Sequence, residues 1–69
     1  MVRQETLEDI IHASGLKLEV IATRLDISYN YFYKLRKDPT KMKADFMVKL
    51  AGVLGVEADR VFRAIKNDS

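Results

Sequence analysis

The sequence predicts an all-α fold in which five short helices surround one core. Two observations support this prediction in the 69-residue chain. Apolar residues recur at i, i+3, i+4 and i+7 in several stretches, which is the spacing of one helix face; the clearest case is Leu18, Ile21, Ala22 and Leu25. No stretch alternates apolar and polar residues as a half-buried strand would. We therefore expect a single domain with helices over about residues 3–13, 17–25, 29–37, 43–54 and 58–66.

The first two helices follow from short apolar stripes and a clear stop signal between them. Leu7, Ile10 and Ile11 give the first helix its buried side, and Gly15 can end it in a left-handed cap. In the second helix, Ala22 sits at the centre of the buried side. Because its side chain is a single methyl group, the next helix can cross it closely.

A tight turn separates the second helix from the third. We expect a positive φ at Asp26, which Asp tolerates at some cost, while Ile27 fills the gap between the helices. Ser28 is a good N-cap for the third helix. Phe32 and Leu35 turn inward, and the helix stops before Pro39.

The last two helices have equally short apolar faces. The fourth is expected to bury Phe46, Met47, Leu50 and Leu54 and to end at Gly55, and Met42 packs in the loop before it. The fifth shows Val61, Phe62 and Ile65, and residues 67–69 are expected to fray.

Composition excludes several classes of protein. The chain has no cysteine and one histidine, His12, so we expect no disulfide, no metal site and no cofactor. No residues can be placed together by spacing as a nucleophile, base or metal ligand, so we do not expect an enzyme. The chain has no apolar run of membrane-spanning length and no signal peptide, which favours a cytoplasmic protein associated with the nucleoid and no membrane partner.

Charge is distributed unevenly along the chain although the net charge is only +2. Residues 1–28 hold three basic and five acidic side chains, a net −2, and residues 50–69 balance at zero. Residues 29–49 hold six basic and two acidic side chains, a net +4. The excess therefore falls on the third helix and the loop after it, where it would attract phosphates. A solvated lysine-rich loop is the alternative interpretation.

The third helix carries polar and aromatic residues that the core does not need. A short helix with such an outer face, held at a fixed angle by the preceding helix, has the geometry that enters a DNA major groove. Two alternatives exist for its tyrosines. Their rings could be buried on the core with the hydroxyls in water, or they could contact another protein.

These features resemble the Cro/repressor (XRE-like) helix-turn-helix family of phage and bacterial transcriptional regulators. The resemblance covers roughly Leu7 to Ile65. The matching positions are Leu7, Gly15-Leu16, Ala22, Leu25, Ile27-Ser28, Phe32, Leu35, and the segment Leu50-Ala51-Gly52-Val53-Leu54-Gly55-Val56. The resemblance implies a lambda-repressor-like domain in which helices two and three form the helix-turn-helix.

The sequence departs from the family pattern at four positions. Leu18 stands where the family usually has Gln, which touches a phosphate, and Asp26 stands where the turn usually has Gly. Many members pair an Arg in the first helix with a Glu late in the third, and these positions are Ile11 and Arg36 here. We therefore expect both halves of that ion pair to be missing and Arg36 to be free to face solvent or a phosphate.

The resemblance implies roles for individual residues. In the family, the third helix reads the bases, which assigns base contacts to Ser28, Tyr29, Asn30, Tyr31 and Lys34. Asn30 can pair with adenine N6 and N7, Lys34 can donate to guanine or a phosphate, and the tyrosines can contact thymine methyl groups or phosphates. Phosphate contacts fall to Lys17, Tyr33, Arg36, Lys37, Lys41 and Lys43. The possible dimer surface is Val53, Val56, Val61 and Phe62.

The function expected from the sequence is sequence-specific binding of double-stranded DNA. The chain would act as a Cro-like or repressor-like transcriptional regulator of phage or prophage type that occludes a promoter. It would bind as a homodimer to a palindromic operator, since one module contacts too little DNA for tight binding. The alternative is a protein-interaction module of the same fold that binds a repressor, an antirepressor or a toxin instead of DNA.

Overall fold

The fold is all-α, as predicted. The computed structural model describes residues 4–68, and no strand occurs in that range. The helices are α1 (Leu7–Ala13), α2 (Leu18–Arg24), α3 (Tyr29–Lys37), α4 (Ala44–Leu54) and α5 (Ala58–Asp68), with a short 3-10 turn at Pro39–Lys41 between α3 and α4. The predicted bounds agree with these to within two residues except at the start of α1, and α5 includes residues 67 and 68, which were expected to fray.

The first helix begins at Leu7 because Thr6 caps it. The Thr6 hydroxyl accepts from the Asp9 N–H at 3.3 Å, and the Asp9 carboxylate accepts from the Thr6 N–H at 2.9 Å. This reciprocal capping box satisfies two backbone donors at the N-terminus of the helix. Residues 4–6 are therefore not helical, which corrects the predicted start near residue 3, a residue outside the described range.

Three positions with positive φ end helices where the sequence predicted turns. Gly15 and Gly55 have φ values of 73° and 74° after α1 and α4. Asp26 has a φ of 60° after α2 and is the non-glycine residue with positive φ in the described chain. The chain reverses there, and the Ile27 N–H donates to the Ala22 carbonyl at 3.1 Å.

The core takes residues from all five helices. Its buried members are Leu7, Ile10, Ile11, Ile21, Ala22, Leu25, Phe32, Leu35, Met42, Leu50, Ala51, Leu54, Val61, Ala64 and Ile65. Most of the predicted inward positions are confirmed. Phe62 is the exception, since it is 39% exposed and Ala64 lies inside in its place. Phe46 and Met47 are partly buried against this core.

Helix packing places α3 on the outside of the domain. α4 packs along α5, α1 also packs on α5, and α2 contacts both α3 and α4. Buried Ala22 lies on α2, which packs on α3, as a small residue at a close crossing would. None of the described helices is long and apolar enough to cross a bilayer.

An ion pair ties the segment before α1 to α5. The Arg60 guanidinium donates to both carboxylate oxygens of Glu5 at 2.9 and 2.6 Å. This hydrogen bonding holds the pKa of Glu5 below its usual value and raises the pKa of Arg60. The pair joins residues 55 positions apart.

Candidate nucleic-acid interface

Helix α3 is anchored on one side and exposed on the other. The Ser28 hydroxyl accepts from the Tyr31 N–H at 3.1 Å, which caps the helix as predicted. Phe32 is fully buried and Leu35 is 7% exposed, so these two side chains fix the inward side. The exposed residues of the helix are Tyr29, Asn30, Tyr31, Tyr33, Lys34 and Lys37.

The three tyrosines of α3 are about half exposed. Tyr29, Tyr31 and Tyr33 are 46%, 52% and 45% exposed. The Lys37 ammonium lies 5.3 Å from the centre of the Tyr33 ring, a cation–π distance. Each tyrosine therefore leaves about half of its surface available for contact with DNA or with a protein.

Helical geometry orders the exposed residues across the outer face. With 100° between successive residues, Asn30 and Lys37 point most directly away from Phe32 and Leu35, and Lys34 lies between them along the helix, about 50° from that direction. Tyr29 falls on one flank of this line and Tyr31 on the other. We call Asn30 and Lys34 the outer ridge of α3.

A cleft lies on the α1 side of α3, at the Tyr29 flank. This open cleft has a volume of about 530 Å³. Tyr29 and Lys17 line it, together with Glu8, Ile11, His12, Gly15, Leu16, Leu18, Glu19 and Arg36. Its charged residues have both signs, and Lys17 supplies a cation close to Tyr29.

A second groove lies on the α4 side of α3, at the Tyr31 flank, and is more basic. It has a volume of about 330 Å³ and its floor includes Ile27 and Phe46. Tyr31 stands at its edge with three lysines and one aspartate, namely Lys41, Lys43, Lys49 and Asp45. Lys49 was not among the residues predicted to contact DNA. The charge excess of residues 29–49 was the only sequence signal for it.

Arg36 is not free, contrary to the expectation from sequence. Its guanidinium donates to Glu8 through Nε at 3.0 Å and through an Nη at 3.2 Å, and it lies 5.7 Å from the centre of the Phe32 ring. Its side chain is only 17% exposed. An ion pair thus joins the first and third helices after all, with the acid in α1 and the base in α3. Arg36 is a poor candidate for a phosphate contact because it already has a bidentate partner.

The remaining predicted phosphate-contact residues are accessible. Lys17, Tyr33, Lys37 and Lys43 are all exposed. Lys41 is 76% exposed, and its ammonium lies 3.8 Å from the Asp38 carboxylate. Such a pair is weak in water, so Asp38 does not prevent Lys41 from contacting another anion.

The predicted dimer surface is only partly exposed. Val61 is fully buried, so its assignment to an exterior surface is wrong; it faces the core on the same side of α5 as Ile65. Val53 and Val56 are partly buried against the core, and Phe62 is exposed. Val48, which the sequence did not single out, is 53% exposed on α4.

Comparison with protein families, curated proteins and solved structures found no match to this chain. Among the described residues, no group of three histidine, aspartate or glutamate side chains could hold a metal ion. The chemistry of the exposed α3 face is therefore the basis for any assignment.

Proposed function

We propose that the protein binds double-stranded DNA sequence-specifically through α3 and acts as a Cro-like or repressor-like regulator that occludes a promoter. The observation that carries the proposal is the division of α3 into an anchored inner side and an outer ridge. Phe32 and Leu35 are buried, while Asn30 and Lys34 are exposed. A helix held in this way can place side chains at base edges without unfolding its own core.

The surroundings of α3 support a duplex as the partner. Exposed lysines lie on both sides of the ridge, with Lys17 in the α1-side cleft and Lys41, Lys43 and Lys49 in the α4-side groove. The two backbones that border a major groove would meet cations on both sides. Ser28, Tyr29 and Tyr31 stand at the N-terminal end of the same face.

The proposal also includes a homodimer on a palindromic operator. A single module of this size contacts few base pairs, and a second copy would double the contacts. Exposed apolar surface is supplied by Val48 on α4 and Phe62 on α5, with partly buried Val53 on α4 and Val56 in the turn between the two helices. Such a regulator would work in the cytoplasm, where it meets the chromosome.

Selection of bound sites from a random duplex pool tests this function. A regulator enriches one motif, and Asn30→Ala then lowers affinity for that motif at least roughly 5-fold, the lower end for loss of a bidentate base contact. Arg63→Ala is the control, because Arg63 is an exposed α5 residue whose guanidinium pairs with Asp59. Equal recovery of every sequence would contradict specific binding.

The second candidate function is a protein-interaction module, which the three exposed tyrosines favour. Tyrosine is enriched at protein interfaces because it combines a large apolar ring with a polar hydroxyl. Retention on DNA-cellulose at low salt distinguishes the two functions. A DNA-binding protein is retained and elutes with salt, whereas a module that binds only protein flows through.

A further inference from the structure

We propose that the outer ridge of α3 reads a pair of purines, an adenine through Asn30 and a guanine through Lys34, no more than two base pairs apart. The proposal rests on the proposed function and narrows its substrate to operators with this pair in each half-site. It also assigns Tyr29 and Tyr31 to the sugar-phosphate backbones on the two sides and not to bases.

The spacing of the ridge sets the spacing of the bases. Asn30 and Lys34 are four residues apart in α3, so they lie on the same side and about 6 Å apart along the helix axis. Successive base pairs are about 3.4 Å apart along a duplex. Two side chains that project side by side from the ridge therefore reach bases separated by one or two steps.

Hydrogen-bond chemistry sets the identity of the bases. Tyr29–Lys37 contains no carboxylate, so Asn30 and the tyrosine hydroxyls are the side-chain acceptors on this helix. The Asn30 amide both donates and accepts, which matches N7 and N6 of adenine. The Lys34 ammonium only donates, and guanine presents two major-groove acceptors, O6 and N7, to it.

Other residues of α3 suit contacts outside the bases. Lys37, which is also exposed on the outer side, lies 5.3 Å from the centre of the Tyr33 ring and is assigned to a phosphate. Arg36, the only arginine of the helix, is held by Glu8 and is 17% exposed, so it does not compete for guanine. Tyr29 lines the cleft that contains Lys17, and Tyr31 lines the groove that contains Lys43. A hydroxyl beside a lysine on each flank suits a phosphate on each strand.

Deaza-base analogues test the pair on the motif obtained from the random pool. Replacing the adenine by 7-deazaadenine, or the guanine by 7-deazaguanine, removes one N7 acceptor and leaves Watson–Crick pairing intact. We expect each analogue to weaken wild-type binding roughly 5-fold or more, as for a lost base contact. Asn30→Ala should make binding indifferent to 7-deazaadenine only, and Lys34→Ala to 7-deazaguanine only.

The controls separate this proposal from the proposed function and from misfolding. Arg63→Ala should keep the wild-type response to both analogues, and thermal unfolding confirms that the ridge variants remain folded. A motif without an adenine and a guanine within two base pairs overturns the purine pair alone. The purine pair is also contradicted if each deaza analogue still weakens binding in both Asn30→Ala and Lys34→Ala. Failure to enrich any motif overturns the DNA-binding function itself.

Discussion

Glu8 and Arg36 join the first and third helices across 28 residues of sequence. Two hydrogen bonds run from the guanidinium to the carboxylate, and the Arg36 side chain lies over Phe32, the largest fully buried side chain. The contact therefore braces the exposed helix from the side of α1. It does so at a point where Glu8 is still half exposed to water.

We expect the Glu8–Arg36 pair to contribute modestly to stability. A double-mutant cycle with Glu8→Gln and Arg36→Gln should give a coupling free energy of roughly 0.5–1 kcal/mol, since one partner is well exposed. Urea unfolding of the four proteins measures it. If the losses of unfolding free energy in the two single variants simply add in the double variant, the pair contributes nothing.

Phe32→Ala should come close to unfolding the protein. Truncating a buried Phe costs about 3–5 kcal/mol, and a domain of this length has a total stability of roughly 3–10 kcal/mol. Thermal denaturation followed by circular dichroism measures the loss. Tyr33→Ala on the exposed side is the matched control and should change stability by no more than about 0.5 kcal/mol. Comparable losses in the two variants would contradict the assigned orientation of α3.

Asp26 is expected to carry local backbone strain because its φ is 60°. Asp26→Gly should be at least as stable as the wild type, since glycine adopts this conformation freely. Asp26→Ala should lose about 1 kcal/mol, because alanine has neither that freedom nor a side chain that can bond locally. Chemical denaturation of the two variants tests this, and a more stable alanine variant would rule out the strain.

The Glu5–Arg60 pair should make the free energy of unfolding depend on pH in the acid range. Its hydrogen bond lowers the folded pKa of Glu5, so the carboxylate stabilises the fold above the unfolded pKa near 4.5. That contribution to stability is lost as the pH falls through the lowered pKa of Glu5 in the folded protein. The stability difference between the wild type and Glu5→Gln should therefore be constant at neutral pH and shrink below about pH 4.5. A difference unchanged at pH 3 would exclude this linkage.

DNA binding should weaken with salt in proportion to the lysines engaged. If Lys17, Lys37, Lys41 and Lys43 each neutralise one phosphate, log K falls with log salt at a slope of roughly −3.5 per subunit. Removing Lys41 and Lys43 together should reduce that slope by about 2. Fluorescence anisotropy across a salt series measures it, with Arg63→Ala expected to keep the full slope. If the slope of log K against log salt is unchanged in the variant that lacks Lys41 and Lys43, the α4-side groove is not part of the DNA interface.

Local features of the fold were predictable because neighbouring residues encode them. The Ser28 cap, the positive φ of Asp26 and the inward side of Phe32 and Leu35 depend on a few adjacent positions. The start of α1 was predicted wrongly. Its capping box involves Thr6 and Asp9, so the sequence signal for the observed start is the Thr-x-x-Asp spacing of these two residues.

Five helices and the residues that the third can expose follow from the amino-acid sequence, because helical periodicity and turn chemistry act over a few residues. Three relationships appear only in the folded protein: Arg36 pairs with Glu8, Val61 is buried while Phe62 is exposed, and Lys49 lines the same groove as Tyr31. These relationships depend on the packing of one helix against another. Residues far apart in the chain become neighbours only when the core fixes where each helix lies.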